Sequence, residues 1–174
     1  MMKKLVVILF AVVFIFSMCS CWFPFRFDYY YEDPYIYIDE EQRCGMGETA
    51  WVDGLEITMT EIKQTYGEAS FEAADGKIFL LVFFEIKNVY DMDDYIDDTL
   101  FTAYVDDYST SVSLRAGTGE SADPLGGNLS MGRKMHGYIG YEVPENWRNL
   151  EIEFSTYYGY KIIFFAENDN GLLV

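Results

Sequence analysis

Residues 77 to 88 read Lys77-Ile-Phe-Leu-Leu-Val-Phe-Phe-Glu-Ile-Lys-Asn88. In an extended chain successive side chains point to opposite faces. Ile78, Leu80, Val82, Phe84 and Ile86 then make one apolar face, and Phe79, Leu81 and Phe83 make the other apolar as well. A strand that is greasy on both sides is a central strand with cover above and below it. The turn pair Asp75-Gly76 bounds it on one side and the polar run DMDDYIDDT on the other.

Moving outward, the same period of two recurs. Leu55, Ile57 and Met59 alternate with Glu56 and Thr58, and Phe101, Ala103 and Val105 alternate with polar or aromatic neighbours. Met135, Gly137, Ile139 and Tyr141 alternate with His136, Tyr138, Gly140 and Glu142. Leu150, Ile152 and Phe154 alternate with Glu151, Glu153 and Ser155, and a last run spans Tyr160 to Phe165. Between these runs stand Asp53-Gly54, Asp123-Pro124, Gly126-Gly127-Asn128, Pro144-Glu145-Asn146 and Tyr158-Gly159, all turn chemistry. No window beyond the N-terminal segment carries a sustained helical stripe. The pattern predicts an all-β domain over residues 47–168, a two-sheet antiparallel β-sandwich, with residues 169–174 as a tail. The Cys-Trp-Cys arrangement of antibody domains is absent.

The chain opens differently. Lys3 and Lys4 precede an apolar run from Leu5 to Phe16, followed by Ser17-Met18-Cys19-Ser20-Cys21. A basic start, a short apolar stretch and small residues before a cut site are the parts of a secretory signal. A helix over the apolar run would be about 18 Å long, short of the roughly 30 Å hydrocarbon core. The uncharged stretch continues to Phe25, so a retained signal anchor is one alternative and an ordinary secretory cut another; in each case the lysines face the cytoplasm and the rest faces outward. Met18-Cys19-Ser20-Cys21 resembles a lipobox, which makes Cys21 the expected lipid-attachment site after removal of residues 1–20. Residues 21–46 then read as a tether. Trp22, Phe23 and Phe25 stand beside the lipid, and Tyr29, Tyr30, Tyr31, Tyr35 and Tyr37 mix with acids and Pro34. With Cys21 lipidated, Cys44 is a lone thiol and no disulfide framework supports the fold.

The formal charge is −17, and it becomes −19 without Lys3 and Lys4. Nucleic acid is excluded as a partner, because phosphate binding needs clustered Lys and Arg. The charge favours cations or basic partners and opposes anionic headgroups. Apolar types make up 51% of residues and aromatics 18%, which is the composition of a packed domain and not of a disordered chain.

Three motifs carry a family resemblance: the early strand pair ETAWVDGLEITMTEI, the long strand FLLVFFEIKN ending on Lys87 and Asn88, and GYIGYEVP from Gly137 to Pro144. They resemble the immunoglobulin-like domains of unknown function found in lipoproteins of Gram-positive bacteria. That family is related in fold to a secreted immunogenic protein of mycobacteria. Met131-Gly132 stands where the family more often has Pro-Gly. The resemblance implies an immunoglobulin-like sandwich in an extracytoplasmic, lipid-anchored protein, and it implies no activity.

Candidate sites are few. Asp91, Asp93, Asp94, Asp97 and Asp98 lie on one loop, with Asp106 and Asp107 further on. Hard cations take several carboxylate oxygens, so calcium is the ion this loop suits, although the EF-hand spacing is not met. The bland alternative is a solvated acidic loop that keeps strand edges from pairing. Tyr157, Tyr158 and Tyr160 cluster at a hairpin and are candidates for contact with a sugar or a protein, against the simpler role of edge packing. His136 is the sole histidine, without neighbours that would make a nucleophile-base or zinc site. Gly117-Thr118-Gly119 precedes no helix and is not a phosphate loop. The chain therefore reads as a non-catalytic binding or surface module held on the outer face of the cell membrane by a lipid at Cys21. Its expected partner is an extracellular protein or a cell-wall glycan, and no cofactor is required unless calcium binds. The two rival readings are a calcium-dependent adhesion or sensing domain using the Asp91 to Asp98 loop, and a cell-wall enzyme or accessory.

Overall fold

The computed structural model describes residues 42–173, apart from 69, 119–122, 158 and 170–171. The signal segment, Cys21 and residues 22–41 of the tether lie outside the described residues, as does the strand-like Tyr35 to Ile38.

The described chain is built of strands and one 3-10 turn. In order they are β1 (Gln42–Cys44), β2 (Thr49–Val52), β3 (Leu55–Thr65), β4 (Lys77–Asn88), β5 (Asp94–Ile96), the 3-10 turn Asp98–Leu100, β6 (Phe101–Val105), β7 (Tyr108–Thr110), β8 (Gly127–Leu129), β9 (Lys134–Pro144), β10 (Asn149–Ser155), β11 (Lys161–Asp169) and β12 (Leu172–Leu173). One sheet runs β2-β3-β4-β9. The other runs β1-β11-β10-β6-β7, with β12 paired to β11, and β5 with β8 forms a separate ribbon. Every pairing is antiparallel except β1 with β11. The structure is thus a β-sandwich, as the alternation predicts.

Residues 42–44, assigned from the sequence to the tether, are already part of the sandwich. Gln42, Arg43 and Cys44 lie parallel to Ile162, Ile163 and Phe164. Cys44 is buried in the main core with its thiol free, where it behaves as a small apolar side chain. Burial, and then the nearby Glu48 carboxylate, push its pKa up. Leu172 and Leu173, assigned to the tail, pair with Asp169 and Asn168.

The even-numbered face of β4 meets the second sheet. Phe84 lies 5.0 Å from Phe101 and 5.4 Å from Phe164 between ring centroids, and Phe101 lies 5.0 Å from Phe154. Leu150, Ile152 and Phe154 pair with Val105, Ala103 and Phe101 on one side and with Ala166, Phe164 and Ile162 on the other. On β3 the inward set changes parity, from Leu55, Ile57 and Met59 to Ile62. A bulge between Met59 and Glu61 inserts Thr60 and resets the alternation.

The odd face of β4 is covered too. Phe79, Leu81 and Phe83 form a second cluster with Ala116 and Tyr138, and Ala73 packs against it. The described residues on either side of 119–122 lie beside β9. Ser113 donates its N–H to the Gly140 carbonyl at 2.8 Å, and Leu125 donates to the Tyr138 carbonyl at 2.8 Å. The two glycines of GYIG make this approach feasible. A Cβ on Gly137 would stand 2.7 Å from the Leu125 Cα, and one on Gly140 would stand 2.5 Å from the Ala116 Cβ. Gly137 therefore serves the inner face and Gly140 the outer one. Because backbone crowds Gly137, Gly137→Ala should lower stability by about 1–3 kcal/mol, read as a lower urea midpoint with unchanged m-value.

Candidate functional site

The register collects several loops at the end where the chain enters the sandwich. Gln42 uses its side-chain amide as a stand-in for a strand: Nε2 donates to the Trp51 carbonyl and Oε1 accepts from the Trp51 N–H, both at 3.2 Å. Trp51 is followed by the tight turn Asp53-Gly54, with φ of 47° and 76°, as its Asp-Gly sequence predicts. Val89 donates to the Gly54 carbonyl at 2.8 Å, so the loop after β4 sits on this turn. Tyr90 lies over Gly54 so closely that a Cβ there would stand 2.6 Å from the Tyr90 Cβ. The hairpin from Thr156 to Tyr160, which enters β11 beside Gln42, belongs to the same end.

Asn88 holds these loops together. It is fully buried. Its Nδ2 donates to the carbonyls of Met92 (2.8 Å) and Leu129 (2.9 Å), and its Oδ1 accepts from the Tyr90 N–H at 2.9 Å. Its backbone accepts from Gly132 and donates to Arg133. A carboxamide offers two donors and an acceptor at fixed angles, which is what two carbonyls and an N–H require. The Lys-Asn step noted in the sequence thus has a division of labour: Lys87 reaches Glu56 at 2.9 Å on the outer face, and Asn88 organises the loops from within.

The five aspartates of the loop do not converge. Among the described residues no group of three or more His, Cys, Asp or Glu is arranged to hold a metal ion. Asp93 Oδ1 accepts from the Met131 N–H at 3.0 Å, and Asp94 Oδ1 accepts from the Tyr95 N–H at 2.7 Å. Asp97 caps the 3-10 turn by accepting from the Thr99 N–H at 2.9 Å and from its hydroxyl. Asp98 lies in the first turn of that helix, and Asp91 is exposed. Asp106 and Asp107 are not beside them. They form the β6–β7 turn with φ of 49° and 69°, and Asp106 accepts from the N–H groups of Arg148 and Asn149 at the opposite end of the sandwich.

Of the tyrosine trio, Tyr157 is 95% exposed and Tyr160 is half-buried; Tyr158 lies outside the described residues. His136 is exposed on the outer face of β9, stacked on Phe83 with centroids 5.8 Å apart. Exposed side chains that the sequence reading passed over stand at this same end: Trp51 on β2, Met92 and Tyr95 in the acidic loop, and Met131 in the facing turn. The signal was present, since Trp51 and Tyr95 fall on the polar phase of their strands.

Among the described residues two buried polar atoms, the Tyr141 hydroxyl and Trp147 Nε1, make no hydrogen bond. Burial, and secondarily Asp98, drive the Tyr141 pKa far above the usual phenol range. A pKa raised in the folded state supports stability below the unfolded value of about 10, and that support is lost as the pH rises through the folded pKa. Tyr141→Phe should therefore leave stability at pH 7 unchanged or raised by about 1 kcal/mol, and should flatten the fall in stability above about pH 10. Asn88→Asp should do the reverse across neutral pH. A carboxylate facing two carbonyls costs at least 1–3 kcal/mol, roughly, and the loss should be larger at pH 8 than at pH 5 in paired thermal melts.

Comparison with known proteins supports the architecture. The fold is similar to ycdA of Bacillus subtilis, a lipoprotein candidate, with a TM-score of 0.58, 16% identity and 68% of this chain covered; the match spans 38% of the length of ycdA. It is similar to MPT63, a secreted protein of Mycobacterium tuberculosis, with a TM-score of 0.54, 11% identity, and 72% of this chain and 98% of that one covered. It is also similar to the yjhA protein of Bacillus subtilis, with a TM-score of 0.52, 17% identity, and 64% and 80% of the two chains covered. These identities carry the fold alone. Among curated proteins none is significantly similar in sequence. Residues 44–162 match the profile of the domain of unknown function DUF4352, and the chain belongs to that family.

Proposed function

We propose that the protein is a lipid-anchored extracytoplasmic lipoprotein whose immunoglobulin-like sandwich is a non-catalytic binding module. The observation that carries the reading is the spacing between Cys21 and the fold. The sandwich begins at Gln42, so 20 residues separate the expected lipid from the first strand. A segment of that length reaches at most about 70 Å when extended. It is a tether between a membrane and a folded body.

The strand order supports the immunoglobulin-like assignment. The nearest neighbours of β4 and β6 on one side are β9 and β10, which come much later in the chain, so the chain crosses between sheets after β4, returns after β7 and crosses again after β9. Those crossings are the Greek-key connection of such sandwiches. The extracytoplasmic reading draws support from the fold shared with a lipoprotein candidate and with a secreted protein. The binding role rests on pre-organised loops at the entry end, where Asn88 fixes the backbone of loops that carry exposed aromatic and methionine side chains.

Anchoring is tested directly. Cells given a clickable fatty acid should label the wild-type chain, and Cys21→Ala should abolish the label and release the protein from the membrane fraction. Label retained on Cys21→Ala would refute the assignment.

A further inference from the structure

From the surface of the entry end we infer that these loops dock a protein partner presenting an apolar contact ringed by Lys and Arg. Trp51, Met92, Tyr95 and Met131 are each 58–60% exposed, with Tyr90 beside them at 39%. Bonds already described fix the segments that carry them at this end: Gln42 to the Trp51 backbone, Tyr90 over Gly54, Asn88 to the Met92 carbonyl, and Asp93 to the Met131 N–H. Tyr and Trp supply large contact area with few torsions to freeze, and methionine adapts its shape to an apolar partner.

Charge selects the occupant. Asp53, Asp91, Asp93 and Asp94 are exposed around these side chains, against two exposed cations, Arg133 of the facing turn and Lys134, which is paired with Glu85. An anionic bilayer would be repelled by this rim, and so would a second copy of the same acidic end. A basic polypeptide gains attraction at long range and register at contact. The rim acids also keep their positions without a partner, because Asp93 and Asp94 are already tied to backbone N–H groups. This deepens the binding-module reading and is independent of the anchor, so its failure leaves the Cys21 result untouched.

The experiment uses the full chain in nanodiscs of zwitterionic lipid, probed with a short peptide of alternating Lys and Trp. Saturating peptide should protect Met92 and Met131 from peroxide oxidation, read by mass spectrometry, while Met46, exposed in the β1–β2 turn at the level of mid-β3, stays reactive. The double variant Met92→Ser/Tyr95→Ser should weaken binding roughly tenfold or more. Asp91→Asn/Asp94→Asn should weaken it and reduce its salt dependence, since Asn keeps the acceptor that holds Tyr95. Tyr66→Ser/Tyr108→Ser, exposed and at the far end, should bind like wild type. Equal affinity for a Lys-Ser peptide would show bare charge attraction and overturn the proposal. So would unchanged binding in Met92→Ser/Tyr95→Ser. Protection of Met92 and Met131 by phosphatidylglycerol vesicles without peptide would assign the surface to the membrane instead.

Discussion

A strand that is apolar on both faces has to be covered twice, and the rest of this fold follows from that demand. The even face of β4 meets its cover in the second sheet, through Phe84 against Phe101 and Phe164. The odd face has no third sheet to meet. Phe79, Leu81 and Phe83 are covered instead by chain between strands, with Ala116 and Ala73 against them. Each ring or branched side chain taken from water contributes about 1.5–3 kcal/mol, so leaving three of them bare would cost as much as a small domain's net stability. Irregular chain can lie on a sheet only if its own polar groups are paired. Here β9 provides that pairing through the carbonyls of Tyr138 and Gly140. Gly137 and Gly140, both buried, are therefore part of how β4 is covered.

Where β4 ends, the same economy of positions places a polar group in the core. Asn88 falls on the inward phase, and its carboxamide is bonded to two separate pieces of chain, the loop of Tyr90 and Met92 and the strand end at Leu129. Buried polar groups are stable when every donor and acceptor is met, and they then specify one arrangement. The consequence is that the loops carrying Tyr90, Met92 and Met131 are set by the core itself. A binding surface on such loops loses little freedom on engagement.

Much of the fold was legible because it is local. Alternation located β3, β4, β6, β9 and β10, and Asp53-Gly54 announced its hairpin. The features that escaped are those decided by distant chain. β1 has three residues, one of them Arg43, and becomes a strand by lying parallel to β11; nothing within Gln42-Arg43-Cys44 signals it. Arg43 sits over the Phe165 ring and pairs with Glu151, contacts that only the folded sheet provides. The bulge at Thr60 likewise resets β3 without a glycine or proline to mark it. Residues 127–129 read as a turn because of their glycines, yet they pair with β5. In the acidic loop residue type alone suggested a shared cation; what it did not reveal is that a carboxylate beside a turn or helix start has local N–H groups to accept, as Asp93, Asp94 and Asp97 each do. Asp106, grouped with them by composition, went to the far end as half of a tight turn.

The sheet edges bear on which part of the molecule can meet a partner. A sandwich usually offers exposed strands to which another chain can add. Here the Trp51 position of β2 has its backbone N–H and carbonyl taken by the Gln42 amide. Along β9, Val112 bridges to Tyr141 and Pro124 to Tyr138. Both sides of the smaller sheet are thus occupied at these positions by the chain's own residues. The first of these contacts also ties β1 of one sheet to β2 of the other. Recognition by strand addition at those places would have to displace an existing partner. Recognition by loop side chains displaces only water. In this molecule the apolar side chains exposed at the entry end include Trp51, on the polar phase of a closed edge, and those of loops fixed by Asn88, beside Tyr157 of the β10–β11 hairpin, so the physics of edge protection and of loop anchoring favour the same end for contact.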